Sequence, residues 1–321
     1  MNENNLNLSL VVPCYNEEEN IELFFDEVNK AFDGKIEDYE FVFIDDGSKD
    51  KTYDCLKKLF EEHKQNYNIQ IISFSRNFGK EAAMYAGLTK SKGDKVCIID
   101  ADLQQKPEVV LQMLDVMENN AHIDCVAAYQ KKRKEGKVIS KFKSLFYKII
   151  NKMTEIDFVN GASDFRLMKR NMVDAVLKMT EYHRFSKGLF AWVGFNTEYI
   201  PYEAADRENG KSKWNFKSLL KYAIEGIVAF STTPLKVSTF SGSVFSAMAI
   251  IYMIFVIIQK LVSGNDVPGY TTIVVLVLFL GGVQLISIGL IGEYLSKMYI
   301  QVKNRPIYLI KEYLDTQETD N

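Results

Sequence analysis

Two stretches of this chain carry no charged residue over a length that few soluble folds tolerate: Val237 to Gln259, and Val267 to Gly292. As helices, each is long enough to cross roughly 30 Å of hydrocarbon. A pair of buried core helices is the alternative. It fits poorly with two such runs separated only by KLVSGNDVPG and placed after a stretch long enough to be a complete domain. The expected arrangement is a transmembrane helical hairpin over 237–292. Lys217, Lys221 and Lys236 precede it, and Lys297, Lys303, Arg305 and Lys311 follow it, whereas the connecting loop sets Lys260 against Asp266. By the positive-inside rule both ends are expected in the cytoplasm, in a two-span protein of the cytoplasmic membrane. The N-terminal MNENNLNLSL lacks the basic start and apolar core of a signal peptide, so the first domain is expected to stay cytoplasmic as well.

Ahead of the hairpin, short apolar runs alternate with longer periodic segments. Leu8–Val12, Phe41–Ile44, Ile69–Phe74, Val96–Ile99 and Cys125–Ala128 read as strands. Glu18–Phe32, Lys51–Lys64, Lys80–Ser91 and Pro107–Asn119 read as helices. This order predicts an α/β domain over 1–215 with a Rossmann-like, mostly parallel sheet, whose ligands gather at the carboxyl ends of its strands. An amphipathic juxtamembrane helix is expected over 216–236 and a cytoplasmic C-terminal segment over 293–321. With 47% apolar and 25% charged residues there is material for one large core and something more. The formal charge of −3 excludes a globally basic nucleic-acid binder. Cys14, Cys55, Cys97 and Cys125 form no C-x-x-C pair and read as free, mostly buried thiols; the three scattered histidines make a zinc site improbable.

The polar signatures stand where strands end: VVPCYNEEEN after the first, FIDDGSKDKT after the second, IIDADLQQKPE after the fourth. One acidic pair at a strand end is commonly a helix cap. Three together point to a hard divalent ion, Mg2+ or Mn2+, which binds through one or two carboxylates while substrate phosphates complete its shell. Asp100, Asp102 and Gln104 meet that need. No G-x-G-x-x-G follows the first strand and no G-x-x-x-x-G-K-[ST] loop occurs, so dinucleotide dehydrogenases and P-loop NTPases lose their phosphate cradle.

VVPCYNEEEN, DDGSKDKT, SRNFGKEAAMYAGL and DADLQQKPE resemble the family-2 glycosyltransferases of GT-A fold. GASDFRLMKR, HRFSKGLFAWVGF and DRENGKSKW, followed by a two-helix anchor, are similar to polyprenyl-phosphate glycosyltransferases, relatives of dolichyl-phosphate mannose synthase and of the bacterial undecaprenyl-phosphate glucosyltransferases. The resemblance covers nearly the whole chain. It implies that Pro13, Tyr15 and Glu17 line a nucleotide pocket, that Asp45 and Asp46 contact the base, and that Asp100, Ala101 and Asp102 meet the sugar diphosphate. Asp100, Asp102 and Gln104 would ligate the metal. Arg207 and Lys213 would stabilise leaving-group charge, with Lys211 on the same glycine-containing loop; a solvated linker to the membrane is the plainer reading of that loop. Asp164 is matched to the catalytic acidic position, although a strand-end cap is the alternative.

The acceptor implied is a polyprenyl phosphate held in the bilayer. Lys131 and Arg133, in a basic run with Lys132 and Lys134, together with Arg166, are candidates for its phosphate; a solvated face for the run and a structural pairing for Arg166 are the alternatives. Residues 138–153 place Val138, Phe142, Leu145, Phe146, Ile149, Ile150 and Met153 near one helical face, as an interfacial helix would; Phe216 to Phe230 reads as a second such segment. The donor expected is UDP-glucose, ahead of UDP-N-acetylglucosamine and GDP-mannose, with transfer inverting the anomeric centre. Self-association of the chain is left open. A processive polysaccharide synthase would need a Q-x-x-R-W motif, which is absent. A nonenzymatic membrane scaffold would be expected to have lost the acidic site.

Overall fold

The structure, a computed structural model, describes residues 6–130, 162–203, 227–228, 230–263 and 269–317. Strands β1 (Leu8–Cys14), β2 (Tyr39–Asp45), β3 (Asn68–Phe74) and β4 (Lys95–Ile98) are apolar on both faces because helices cover both. Alternate residues divide accordingly. Leu10, Val12, Phe41 and Phe43 pack under α1 (Ile21–Phe32), α2 (Thr52–His63) and α4 (Glu108–Asn119). Val11, Val42 and Ile44 pack under α3 (Lys80–Lys90) and α5 (Arg170–Leu177).

The remaining strands are β5 (Cys125–Gln130), β6 (Ala162–Lys169), β7 (Thr197–Tyr202) and β8 (Ile310–Asp315), with the short helix α6 (Ser186–Trp192) between β6 and β7. The eight-stranded order is β7-β5-β6-β4-β1-β2-β3-β8. β1 to β4 are mutually parallel, and β6 and β8 run against their neighbours β4 and β3, so the sheet is mixed. The chain lays β2 and β3 on one side of β1 and then crosses back to place β4 on the other. That reversal opens a crevice at the carboxyl ends of β1 and β4, the place where open α/β sheets bind ligands. The antiparallel β6 adds a second carboxylate there: the register ends by pairing Ile98 with Arg166, and beyond that pair Asp100 and Asp164 both approach Lys80 Nζ.

The five strands expected from the sequence all form. β6, β7 and β8 come in addition, and β8 makes the segment after the hairpin supply an edge strand of the first unit, which comprises 1–219 together with 305–321. The second unit, 220–304, contains α7 (Thr233–Ser263) and α8 (Tyr270–Val302). The first helix extends beyond its uncharged run at both ends; the second starts three residues inside its run and continues past it to Val302. They lie antiparallel, with Ser238 Oγ donating to Ser287 Oγ at 2.9 Å, Phe245 edge-on to Phe279, and Tyr294 Oη donating to the Ser231 carbonyl at 2.6 Å. Their apolar side chains otherwise face outward, Leu261 81% and Ile286 75% exposed. A surface of that kind is untenable in water and suited to lipid, so the hairpin associates with a membrane.

Candidate active site

The loops leaving β1 and β2 are stitched together. Asn16, left-handed at φ 57°, receives Lys49 N–H on its Oδ1 and donates its own N–H to Ser48 Oγ. Glu17 N–H donates to Thr52 Oγ1, and Lys51 N–H donates to Glu18 Oε2. Pro13, Tyr15 and Glu17 stand on the first of these loops, with Tyr15 exposed. Asp45 and Asp46 are both buried, and all four of their carboxylate oxygens accept hydrogen bonds from the chain itself. Asp45 takes Ser48 N–H and Ser73 O–H. Asp46 takes Phe78 N–H at 2.6 Å and Gly79 N–H at 2.9 Å, while desolvation pushes its carboxyl up against the pull of those two donors. Their visible task is to pin turns; a base contact would come in addition. Gly47 is required in this turn: at φ 62° an added Cβ would strike the Arg76 carbonyl carbon at 2.4 Å.

Asp46 thereby fixes the start of α3 and delivers its first residue, Lys80, to the crevice. Lys80 Nζ lies 2.6 Å from Asp100 Oδ1 and 3.6 Å from Asp164 Oδ2. Desolvation in the cleft depresses the ammonium, but Asp100 and Asp164 outweigh it and raise its pKa. The second Asp100 oxygen accepts from Gln105 Nε2 at 3.0 Å, and Gln105 Oε1 in turn accepts Asp100 N–H at 2.9 Å, so Asp100 is clamped from both sides. Ala101 is buried; Leu103, at φ 57°, reverses the chain so that Gln104 N–H donates to Asp102 Oδ1. Sequence reasoning overlooked Lys80 and Gln105. The signals were present, a lysine opening the helix after F-G and a second glutamine after the D-x-D, but neither residue type is diagnostic in isolation.

The donor set suits a hard divalent cation. Asp100 and Asp102 supply carboxylate oxygens, and negative charge is concentrated around them: Glu17 is pushed up first by desolvation and then by Asp102, Asp100 and Asp50. Among the described residues no three acidic, histidine or cysteine side chains form a self-sufficient metal cage, so substrate oxygens would have to complete the shell.

On the β6 side, desolvation works to raise the Asp164 carboxyl, and Lys80, Lys187 and Arg166 together overcome it and hold it low, so Asp164 is anionic near neutral pH. Arg166 is 5% exposed, with its guanidinium 3.8 Å over the Phe190 ring and Nη2 donating to the Ser163 carbonyl. Its Nε is buried with no hydrogen-bond partner among the described residues. Glu81 receives Ser186 N–H on both oxygens and the Ser186 hydroxyl on one, tying α3 to the start of α6.

Desolvation, and then Asp164, push the Glu81 carboxyl from its ordinary 4.5 up to about 7. A carboxyl whose folded pKa exceeds its unfolded one costs nothing below the lower value and its full penalty above the higher. Stability should therefore fall as pH rises from 4.5 to about 7, by at most about 3 kcal/mol from this group. Glu81→Gln should flatten that portion of the stability-pH curve in chemical denaturation. Parallel curves for the two proteins would remove Glu81 as the cause.

Arg207, Lys211 and Lys213, Lys131 to Lys134 including Arg133, the 138–153 helix and most of 216–230 lie outside the described residues.

Residues 9–177 match the family described as glycosyl transferase family 2, and residues 233–298 match the GtrB C-terminal hairpin. The SfII prophage-derived bactoprenol glucosyl transferase of Shigella flexneri is 42% identical over 308 residues, 96% of this chain and 98% of that protein. A prophage bactoprenol glucosyl transferase homolog of Escherichia coli is 40% identical over 307 residues, 95% of this chain and 99% of that one. An uncharacterized glycosyltransferase of Synechocystis is 42% identical over 96% of this chain and 95% of its own length.

Proposed function

The chain belongs to glycosyl transferase family 2, with a GT-A domain and a membrane hairpin, and we propose that it transfers glucose from UDP-glucose to undecaprenyl phosphate with inversion. The observation that carries this reading is the 42% identity to a bactoprenol glucosyl transferase across both the sheet and the hairpin, 96% of the chain. A hairpin that presents apolar side chains outward belongs with an acceptor whose isoprenoid tail stays in the bilayer.

In this reading a phosphate oxygen of the lipid attacks the anomeric carbon as the bond from that carbon to the UDP oxygen breaks, and the electron pair leaves with UDP. The attacking oxygen is already anionic, so proton abstraction is not required. Asp164, held ionised, faces the positive charge that develops on the sugar and keeps the acceptor side oriented. Arg166 offers its Nε, a buried donor with no partner among the described residues, which a phosphate oxygen would satisfy. Lys131 and Arg133 would assist nearer the lipid. Pro13, Tyr15 and Glu17 would border the nucleotide, with Asp45 and Asp46 shaping the loops beneath it. Asp100 and Asp102, aided by Gln104, would hold Mg2+ or Mn2+, which when bound neutralises charge on the departing diphosphate. Arg207 and Lys213 would add cations to the same leaving group.

The topology proposed places the GT-A domain and both hairpin ends on the cytoplasmic face. Basic residues on both flanks support it. So does connectivity: the chain leaves the sheet unit for α7 and returns from α8 to β8 of the same sheet, as two crossings require.

Detergent-solubilised enzyme given radiolabelled UDP-glucose and undecaprenyl phosphate should release UDP and an equal amount of acid-labile, organic-extractable glucosyl lipid. Undecaprenol, which lacks the attacking anion, should give none. Equal product from the alcohol would overturn the acceptor, preference for UDP-N-acetylglucosamine or GDP-mannose would overturn the donor, and no turnover with any donor would leave the scaffold reading.

A further inference from the structure

Lys80 is placed in neither the nucleotide pocket nor the metal set by the sequence motifs, yet it joins the two halves of the site. Its ammonium contacts Asp100, on the donor side, and Asp164, on the acceptor side. These three side chains remain partly open to the cleft, at 42%, 27% and 20% exposure, so the pair is not a buried strut whose only effect is on folding. The approach of Lys80 is built in: Asp46 holds the two backbone N–H groups ahead of it, and Gly79, at φ 98°, turns the chain into α3. Asp100 is equally fixed, because Gln105 occupies its other oxygen. The Asp100 oxygen that a divalent ion would need is thus the one that the lysine already holds, at 2.6 Å.

Two cations cannot share one carboxylate oxygen at contact distance without strong repulsion. From this geometry we propose that Lys80 is an exchangeable counter-ion of the donor site. Its ammonium neutralises Asp100 until a divalent cation takes that oxygen, and it then remains with Asp164, so that loading of the donor side tightens the pairing on the acceptor side. Lys80 is in this sense a positioning residue, acting on the reaction through Asp100 and Asp164. The proposal rests on the reading of Asp100 and Asp102 as metal ligands.

The test separates the two ideas. Mn2+ binding to the full-length enzyme is measured by the electron paramagnetic resonance of the free ion, at saturating UDP, alongside turnover and a thermal melt. Removal of the competing ammonium in Lys80→Met should tighten Mn2+ binding by about tenfold while turnover falls by about a hundredfold. Lys80→Arg, which keeps the charge, should return Mn2+ affinity to the wild-type value and restore part of the turnover. Metal affinity and activity moving in opposite directions is an outcome that loss of structure would not produce. Lys80→Met binding Mn2+ no more tightly than wild type, with an unchanged melt, overturns the exchange. If Lys80→Met does not fold, Lys80→Arg decides the matter in its place, and a Mn2+ affinity that departs from wild type in that variant overturns the exchange. Asp102→Asn serves as the control for the underlying reading: if it binds Mn2+ as wild type does, the ligand assignment itself fails, whatever Lys80 does.

Discussion

Asp102→Asn is expected to reduce glucosyl transfer by about a thousandfold or more, the loss of several kcal/mol of leaving-group stabilisation. The substitution is nearly isosteric, and the asparagine carbonyl can still accept the Gln104 N–H that Asp102 Oδ1 receives at 3.2 Å, so the reversed loop at Leu103 should survive. What is lost is a formal charge at the point where, in the proposed reading, a hard cation and the diphosphate would meet. Turnover is to be measured at saturating Mg2+ and at saturating Mn2+, with UDP binding and a thermal melt as controls. Activity within a few-fold of wild type would remove Asp102 from the metal set, and full activity of the unaltered enzyme in excess chelator would remove the metal.

The location of this candidate site was legible in the sequence because its residues sit at strand ends, where apolar runs stop abruptly. The runs ending at Val12, Ile44 and Ile99 locate the crevice, since helices on both faces of the strands that contain them leave only the carboxyl edge of the sheet for polar work. Other features depend on tertiary register, which no local pattern reveals. β6 begins with Ala-Ser-Asp-Phe-Arg, a mixed stretch whose strand identity comes from pairing with β4 and β5, and this pairing carries Asp164 to the same lysine that Asp100 holds. Lys80 and Gln105 look like ordinary helix-start and loop residues until that register is known. Asp45 and Asp46 show the converse. The motif marks them as site residues, and the fold gives their oxygens to backbone and serine donors. β8 escaped notice for a similar reason: IKEYLD alternates too weakly to announce a strand, and only the open edge of β3 makes it one.

That edge supports the remaining prediction. A chain ended after residue 304 should fail to accumulate as folded protein, whereas replacement of 233–302 by a long flexible linker, with β8 kept, should leave a stable GT-A domain. β8 covers β3 from Gln70 to Phe74; Tyr308 stacks on Phe74 at 4.9 Å, Lys90 lies over the Tyr313 ring, and Tyr53 Oη donates to Glu312 at 2.6 Å. Tyr313 Oη donates to Gln70 Oε1, and the Gln70 amide in turn donates to Glu40, a buried carboxylate that also accepts from Ser9 and the Lys92 N–H. Loss of the strand would expose five β3 residues at an apolar edge and open that polar network to water, about 5 kcal/mol or more, comparable with the whole stability of a domain. Asp315→Ala isolates one part of it: the buried carboxylate accepts from Lys92 Nζ at 2.8 Å, and its removal should cost about 1–3 kcal/mol in denaturant unfolding. If the chain ended after 304 melted like the linker-joined one, β8 would be an accessory to the sheet and not part of its core. The linker-joined protein also separates anchoring from chemistry. With the nucleotide loops intact it should still bind UDP and glucosylate detergent-dispersed undecaprenyl phosphate, but act poorly on the same lipid in vesicles, because a membrane anchor raises the local concentration of acceptor.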